Sequence, residues 1–408
     1  MTLYQSRVGP IQFLSKVVTE RVFPVEKLYM IAQQFAAPNA VQQVQAYGSG
    51  NVNDTYLVTA HSTAAQPTST NVAQGQSYRF VLQRVNTHVF RQPELILLNM
   101  QAFLGHMAER SAAERAAATT RWEMPRILPT VTGHYYYLDP DGAFWRAISL
   151  IEDAKTYPKI RDAAHAREAG IALGRFHRLL SDLDPAQLHD TLPGFHITPQ
   201  YLAAYDQILP GETAQQRMTG ETAEQVAWGI AFVATRRAWA GLLEEALARG
   251  ELVLRAIHGD PKVDNILIDD HSGQAVSIID LDTVKPGLVH YDIGDCLRSC
   301  CNPAGEETTA LDTVIFDTEL CRVILAGYLQ EAAHFFTDAD YAYLYDAIRL
   351  IAFELGLRFF TDYLAGDVYF KVRYPTHNLQ RALVQFRLVE SIEAQAATIR
   401  AIITNALQ

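Results

Sequence analysis

The sequence predicts an α+β protein in two parts, a small amino-terminal part around an antiparallel sheet and a larger, mainly helical carboxy-terminal part. Three observations predict it. From Val41 to Leu150 the apolar residues come in short strand-length runs broken by turn formers. Beyond Glu152 they come in long helix-period runs, and that texture is interrupted once, between Leu252 and Val289, by strand-like segments. The boundary falls at residues 149–154, leaving 1–151, with a leading helical segment over 1–40, and 152–408.

In chain order, Ser15 to Phe35 reads as one helix or two short ones, with Pro24 at a break or a first turn. Val44 to Gly48 is strand-like and runs into Gly48-Ser49-Gly50-Asn51, after which Val52 to Thr59 resumes the pattern. The polar stretch His61 to Gln76 is too short to link two domains and predicts a long hairpin loop. Tyr78 to Arg84 is the next strand, and Pro93 opens a helical run to Ala117. Tyr135 to Leu138 and Phe144 to Leu150 predict a hairpin turning at Asp139-Pro140-Asp141-Gly142. Ala163 to Leu180, Pro199 to Tyr205 and Ala223 to Ala248 predict helices, which resume after Val289.

Composition narrows the function. The 408 residues carry 34 Lys and Arg against 45 Asp and Glu, a net charge of −11, and 49% are hydrophobic. That apolar share supports a core and excludes a disordered or fibrous chain. So acidic a chain argues against sequence-independent nucleic-acid binding, which needs cations to neutralise phosphates. It does not argue against a small phosphate ligand held by a few basic groups or a metal ion. Met1 to Pro10 contain no basic segment leading into an apolar one, so no secretory signal is visible. No apolar run approaches the ~18 residues that cross a bilayer. The expectation is a cytoplasmic protein without a membrane partner. Cys296, Cys300, Cys301 and Cys321 crowd into one stretch, with a spacing that suits neither a disulfide framework nor a zinc site; buried reduced thiols are expected.

The strand-rich interruption carries the chemistry. His258-Gly259-Asp260-Pro261-Lys262-Val263-Asp264-Asn265 is followed by Ile266 to Ile268, a turn at Asp269 to Gly273, and an apolar strand that ends in Asp280. Such a set can move a phosphoryl group: one carboxylate takes the proton of an attacking hydroxyl, while an amide and a second carboxylate hold Mg²⁺ on nucleotide phosphates. Asp260 and Asn265 lie close in one irregular loop, the hairpin returns Asp280 to the same end, and Lys262 could reach the transferred phosphate. Each residue alone is an ordinary turn former or cap. Their spacing together with the hairpin singles out the set.

His258-Gly259-Asp260, Asn265 and Ile279-Asp280 resemble the aminoglycoside phosphotransferase and choline kinase group, a branch of the protein-kinase-like fold. Further segments are similar to one subgroup, the bacterial N-acetylhexosamine 1-kinases: Gly48 to Tyr56, Val81 to Asn86, Val89 to Glu94, Ile279 to Val284, and Glu354 to Phe359 continuing through Thr361-Asp362-Tyr363-Leu364 to Gly366-Asp367-Val368-Tyr369-Phe370. The resemblance runs from Tyr47 to beyond Asn378, and the segments at Asp280 to Val284 and Glu354 to Phe370 are the more specific to the subgroup.

The resemblance implies two lobes with ATP between them, and it assigns roles. Asp260 is implied as the base for a sugar's anomeric hydroxyl, with Lys262 beside it, and Asn265 and Asp280 as Mg²⁺ ligands. Gly48 and Gly50 would let the loop backbone approach the phosphates, with Asn53 in the same loop. Where many kinases carry a lysine on the third strand, Gln83 and Arg84 stand, with Glu94 on the next helix as candidate partner. A slip of one residue exchanges which of the two faces the nucleotide. Adenine is expected on the backbone of Ser149 to Asp153, which includes Glu152.

Arg358 and Tyr369 are implied to touch the sugar, with Asp362 and Asp292 as lesser candidates. Arg358 also reads as an ion-pair partner of Glu354 one turn earlier, with the sugar site the favoured role, and Asp292 reads more as an organiser of the catalytic loop than as a reagent. His177 is expected as a packed structural histidine, and Asn51 stands where the subgroup has histidine. The implied activity is ATP- and Mg²⁺-dependent phosphorylation of the anomeric hydroxyl of an N-acetylhexosamine, GlcNAc or GalNAc. The alternatives are another small-alcohol acceptor (an aminoglycoside, choline or another sugar) and a non-catalytic nucleotide-binding pseudokinase. The sequence leaves the oligomeric state open.

Overall fold

Apolar–polar alternation builds the amino-terminal sheet. The structure, a computed structural model, describes residues 23–37, 39–48, 52–62, 75–114 and 120–406, without the side chains of 111–114. The first part of the expected leading helix, Gly50 and most of the expected hairpin loop lie outside the described residues. In chain order come α1 (Val25–Ala32), β1 (Val41–Ala46), β2 (Asp54–His61), β3 (Ser77–Val85), α2 (Glu94–Glu114), β4 (Ile127–Leu128), β5 (Tyr137–Leu138) and β6 (Phe144–Ser149). The strands form one antiparallel sheet ordered β1-β2-β3-β6-β4, with β5 also on β6.

The register sets Val58 opposite Phe80 and Leu82 opposite Ala147. These residues and Trp145 join Leu28 and Ile31 of α1 in a small core of their own. The predicted hairpin turns on Asp139. One of its oxygens accepts the backbone N–H groups of Asp141 and Ala143 at 3.0 and 2.9 Å, and the other accepts the Trp145 indole at 3.2 Å. A short polar side chain that satisfies nearby N–H groups makes this a stable turn.

The carboxy-terminal part begins with β7 (Ala154–Lys155) and continues with α3 (Ala163–Leu180), α4 (Thr198–Ile208), α5 (Glu212–Arg217), α6 (Ala223–Arg236) and α7 (Leu242–Ala248). The strand-rich interruption follows as β8 (Arg255–Ile257), β9 (Ile266–Asp269), β10 (Ala275–Ile278) and β11 (Lys285–Gly287). Then come α8 (Val289–Cys300), α9 (Thr318–Ala332), α10 (Asp338–Ala365), α11 (His377–Ala394) and α12 (Ala396–Asn405). The α+β division predicted from sequence is therefore present.

One expected helix is broken. Ala223 to Ala248 splits into α6 and α7 at a tight turn over Arg237–Trp239, just before Gly241. Arg237 is drawn to Asp206 of α4 by two hydrogen bonds of 2.9 and 2.6 Å, and the Trp239 ring meets Phe353 edge-on at 5.1 Å. Tertiary contact outweighs helix propensity here, aided by a glycine.

Helices α3 and α9 touch backbone to backbone. A Cβ on Gly170 would lie 2.0 Å from the Ile324 carbonyl oxygen, and one on Gly327 would lie 2.3 Å from that of Arg167. Only glycine permits so close an approach. Helix α3 also packs against β10, and β9 is paired on one side with β10 and on the other with β7, at the exit from the sheet. The cysteines are buried free thiols, as expected, with the Cys296 and Cys300 sulfurs 3.9 Å apart. Among the described residues no helix is long and apolar enough to cross a membrane.

Candidate active site

After β8 the chain turns sharply at Gly259, where φ is +88° and a Cβ would lie 2.7 Å from the Thr283 carbonyl oxygen. No other residue fits that conformation and that space. Asp292 of α8 holds the turn from below. Its two oxygens accept the backbone N–H groups of His258 and Gly259 at 2.6 and 2.8 Å, and His177 Nε2 lies 2.8 Å from one of them. Burial pushes the Asp292 pKa up, but His177 and these N–H groups hold it below the ordinary value. Asp292 is thus the organiser of the loop, with no oxygen turned to a substrate, and His177 is packed as expected, its other nitrogen on the Tyr328 hydroxyl at 2.9 Å.

The turn presents Asp260. His258 Nδ1 accepts the Asp260 N–H at 3.2 Å and its Nε2 donates to the Ile279 carbonyl at 2.9 Å, so this ring is neutral, and burial lowers its pKa in keeping with that. The Lys262 ammonium lies 2.8 Å from Asp260 Oδ2. The Asn265 amide donates to the Asp260 backbone carbonyl at 2.7 Å and to Oδ2 at 3.3 Å. Burial pushes the Asp260 carboxyl up, but Lys262 outweighs it and keeps the pKa below the usual carboxylate value. Asp260, Lys262 and Asn265 are therefore brought together, as their spacing predicts.

Asp280, two residues beyond β10, has φ +65°, a strained conformation for a residue other than glycine. Among the described residues its carboxylate takes no hydrogen bond. Protein packed around it, then the charges of Asp282 and Asp260, push its pKa up to about 7. The Asn265 amide nitrogen is spent on Asp260, and its side-chain oxygen takes no hydrogen bond among the described residues. One hard carboxylate and one amide oxygen suit Mg²⁺, which binds few protein ligands and completes its shell with water and substrate phosphates.

Two residues that the sequence reading missed complete this side. Arg146 of β6 and Asp282 form an ion pair with side chains only 3% and 1% accessible, which decides that the pair is buried. Arg146 also donates twice to Gln83 Oε1, at 3.0 and 2.7 Å, and Asn53 donates to the other oxygen of Asp282 at 2.7 Å. Gln83 therefore faces the cluster. Arg84, its neighbour, pairs with Asp54 at 2.6 Å and lies 4.9 Å from the Phe23 ring, on the other face of the sheet. Glu94 is exposed at the start of α2 and pairs with neither. An arginine in the middle of the apolar strand Phe144 to Leu150 was the visible signal for Arg146.

Around the entrance, Gly48 has φ +76°, the freedom expected of it. The Glu152 side chain is exposed and pairs with Arg79 at 3.1 Å, and its carbonyl accepts from Arg121 at 2.8 Å.

Arg358 of α10 is framed by the rings of Phe195, Tyr201 and Phe370, 5.0, 5.1 and 5.5 Å from its guanidinium carbon. Among the described residues it has no hydrogen-bond or ion-pair partner. Glu354, one turn earlier, is occupied by His196 at 3.0 Å and the Thr198 hydroxyl at 2.8 Å. Burial works against the Arg358 charge, but Tyr201, Tyr369, Glu354 and Asp260 raise its pKa above the ordinary value. Tyr369 is exposed beside Phe370. Asp362 is fully buried and accepts the N–H groups of Val368, Tyr369 and Phe370 and the Asn378 amide, all at 2.8–2.9 Å. It shapes the loop that carries Tyr369 and offers no oxygen to a ligand. Asp367 is likewise taken, by Arg217 and Asn378 at 2.8 and 2.9 Å.

Known proteins share this fold. The sequence pattern of the phosphotransferase enzyme family matches residues 43–317. A microcompartment-associated aminopropanol kinase superposes with a TM-score of 0.57 over 92% of this chain and 99% of its own, at 15% identity. An aminoglycoside phosphotransferase from Alicyclobacillus acidocaldarius gives 0.55 over 95% and 98%, at 15% identity. A spectinomycin phosphotransferase, solved with ADP and spectinomycin, gives 0.52 over 93% and 100%, at 11% identity. At such identities the likeness is one of fold, and the fold is the protein-kinase-like one predicted.

Proposed function

This chain belongs to the phosphotransferase enzyme family, and from that premise we propose that it transfers the γ-phosphoryl group of ATP to the anomeric hydroxyl of an N-acetylhexosamine. In the step, the sugar oxygen bonds to the γ-phosphorus, the bond from that phosphorus to the bridging oxygen breaks, ADP leaves, and the hydroxyl proton passes to Asp260. Lys262, 2.8 Å from Asp260 Oδ2, favours the ionised base and carries positive charge toward the transferred group. Asn265 and Asp280 would hold Mg²⁺, which neutralises charge on the phosphates. The remainder of the catalytic effect is positioning in a closed cleft.

Arg358 carries the choice of acceptor class. A cationic amino alcohol or aminoglycoside calls for free carboxylates, whereas Asp362 and Asp367 are consumed by internal hydrogen bonds. A guanidinium without an ion-pair partner among the described residues repels cations and donates to carbonyl or ring oxygens, while the rings that frame it offer an apolar face to a sugar. The intact Asp260, Asn265 and Asp280 set speaks for catalysis and against a scaffold role.

A screen with Mg·ATP decides the reading. GlcNAc or GalNAc is expected to turn over, and choline, aminopropanol and spectinomycin are expected not to. Turnover on a cationic acceptor, with none on any N-acetylhexosamine, would refute it. Asp260→Asn should lower kcat by about 10²–10⁴-fold while nucleotide affinity is retained.

A further inference from the structure

The peptide unit between Gly259 and Asp260 is gripped at both ends. Its N–H donates to His258 Nδ1 at 3.2 Å, and its carbonyl oxygen lies 2.7 Å from His196 Nε2. The other ring nitrogen of His196 lies 3.0 Å from Glu354 Oε1. A backbone carbonyl cannot donate, so Nε2 carries a proton toward Gly259; beside an ionised carboxylate, which cannot donate either, Nδ1 carries a second. His196 and Glu354 are 3% and 1% exposed, which leaves water no part in the pair.

The surroundings hold this ring in place. His196 has φ +65°, a conformation that survives only where neighbours over-determine it. Its ring stacks on Tyr291 of α8 at 5.6 Å, whose hydroxyl donates to Glu244 of α7 at 2.8 Å. Burial opposes the charged form, while Glu354 of α10, Asp295 of α8 and the Gly259 carbonyl raise the His196 pKa above its ordinary value. The next residue back, Phe195, frames Arg358 at 5.0 Å, and Glu354 stands one helical turn before Arg358.

We propose that His196, held as an imidazolium by Glu354, is a positioning residue that sets the Asp260 carboxylate and ties it to the acceptor pocket framed by Phe195 and Arg358. The tie to the acceptor rests on the function proposed above; the imidazolium and its grip on Gly259 do not. A single loop, from Gly194 to Thr198, thereby touches both the pocket wall and the peptide of the base.

Two measurements test it. In protein labelled with ¹⁵N-histidine at pH 8, the His196 signal, assigned by its loss in His196→Gln, is expected to show two protonated nitrogens in the wild type. It should show one in Glu354→Gln. A neutral ring in the wild type overturns the proposal whatever the substrate proves to be. In kinetics on whichever acceptor the wild type phosphorylates, His196→Ala should lower kcat by about tenfold to a hundredfold with KM for ATP unchanged. His196→Gln, which keeps one donor for the Gly259 carbonyl, should recover part of the loss. Unchanged kcat in correctly folded His196→Ala overturns the proposal. Combining His196→Ala with Arg358→Ala should cost less than the product of the single effects on kcat/KM for the acceptor; independent effects would overturn the tie. Failure of the sugar to react, with a protonated His196, would count against the proposed substrate alone.

Discussion

Glu244 places a carboxyl where one oxygen takes the Tyr291 hydroxyl at 2.8 Å and the other is buried with no hydrogen-bond partner among the described residues. Burial pushes its pKa up to about 7 from an ordinary 4.5. The folded protein then binds a proton between pH 4.5 and 7 that the unfolded chain releases. The contribution to stability is full below about pH 4.5 and is lost as pH rises through 7. Glu244→Gln, which cannot ionise, should therefore raise Tm more at pH 8 than at pH 5.5. At ~1.4 kcal/mol per pKa unit the gain is bounded at about 3.5 kcal/mol, and thermal melts across pH check it; an equal shift at both pH values would contradict the assignment. At this scale the sequence was readable where residues are neighbours in the chain. Asp260, Lys262 and Asn265 meet as their spacing implied. Arg146 and Asp282, 136 positions apart, meet only where the sheet packs against the segment after the hairpin, which no local spacing encodes. Asp362 reads as a free carboxylate in sequence and is found consumed by three N–H groups that follow it.

Helix α10 shows how one element serves several ends. Glu354, Arg358 and Asp362 recur every four residues, so they share a face and are aimed together at the base, the acceptor pocket and the Tyr369 loop. Its start is fixed by a capping box in which Thr337 and Asp340 exchange hydrogen bonds at 3.1 and 2.8 Å. Thr337→Ala should cost about 1 kcal/mol, seen as a few degrees in Tm, with kcat little changed. The α3–α9 contact is less forgiving. Gly170→Ala drives a methyl to 2.0 Å from a backbone oxygen that cannot turn aside, so a loss at or beyond about 3 kcal/mol is expected in denaturant titration. A neutral Gly170→Ala would show that these helices are not in contact there. Helical periodicity made both helices legible. The break between α6 and α7 was hidden, because Phe353 and Asp206, which draw Trp239 and Arg237 out of line, come from elsewhere in the chain.

Across the whole molecule, the division into sheet and helices was legible, since it follows from local periodicity, but the seam between them was not. That seam is electrostatic: Arg146 from the sheet enters the protein to meet Asp282 beside the catalytic hairpin. Arg146→Met strands a buried carboxylate and should cost about 3–5 kcal/mol. Arg146→Met with Asp282→Asn should restore much of it, and equal losses in the single and double variants would refute the pairing. The net charge of −11 belongs to the same picture, because the cleft too is rich in carboxylates: Lys262 is answered by Asp260 and Arg146 by Asp282, and Asp280 stands beside them. Asn53, from the strand-flanking loop, grips the same Asp282 at 2.7 Å. Parting the sheet from the hairpin would leave that carboxylate bare. Asp282 is therefore the rivet of the molecule: one buried side chain, held by Arg146 and Asn53, fastens the sheet to the segment that follows the hairpin.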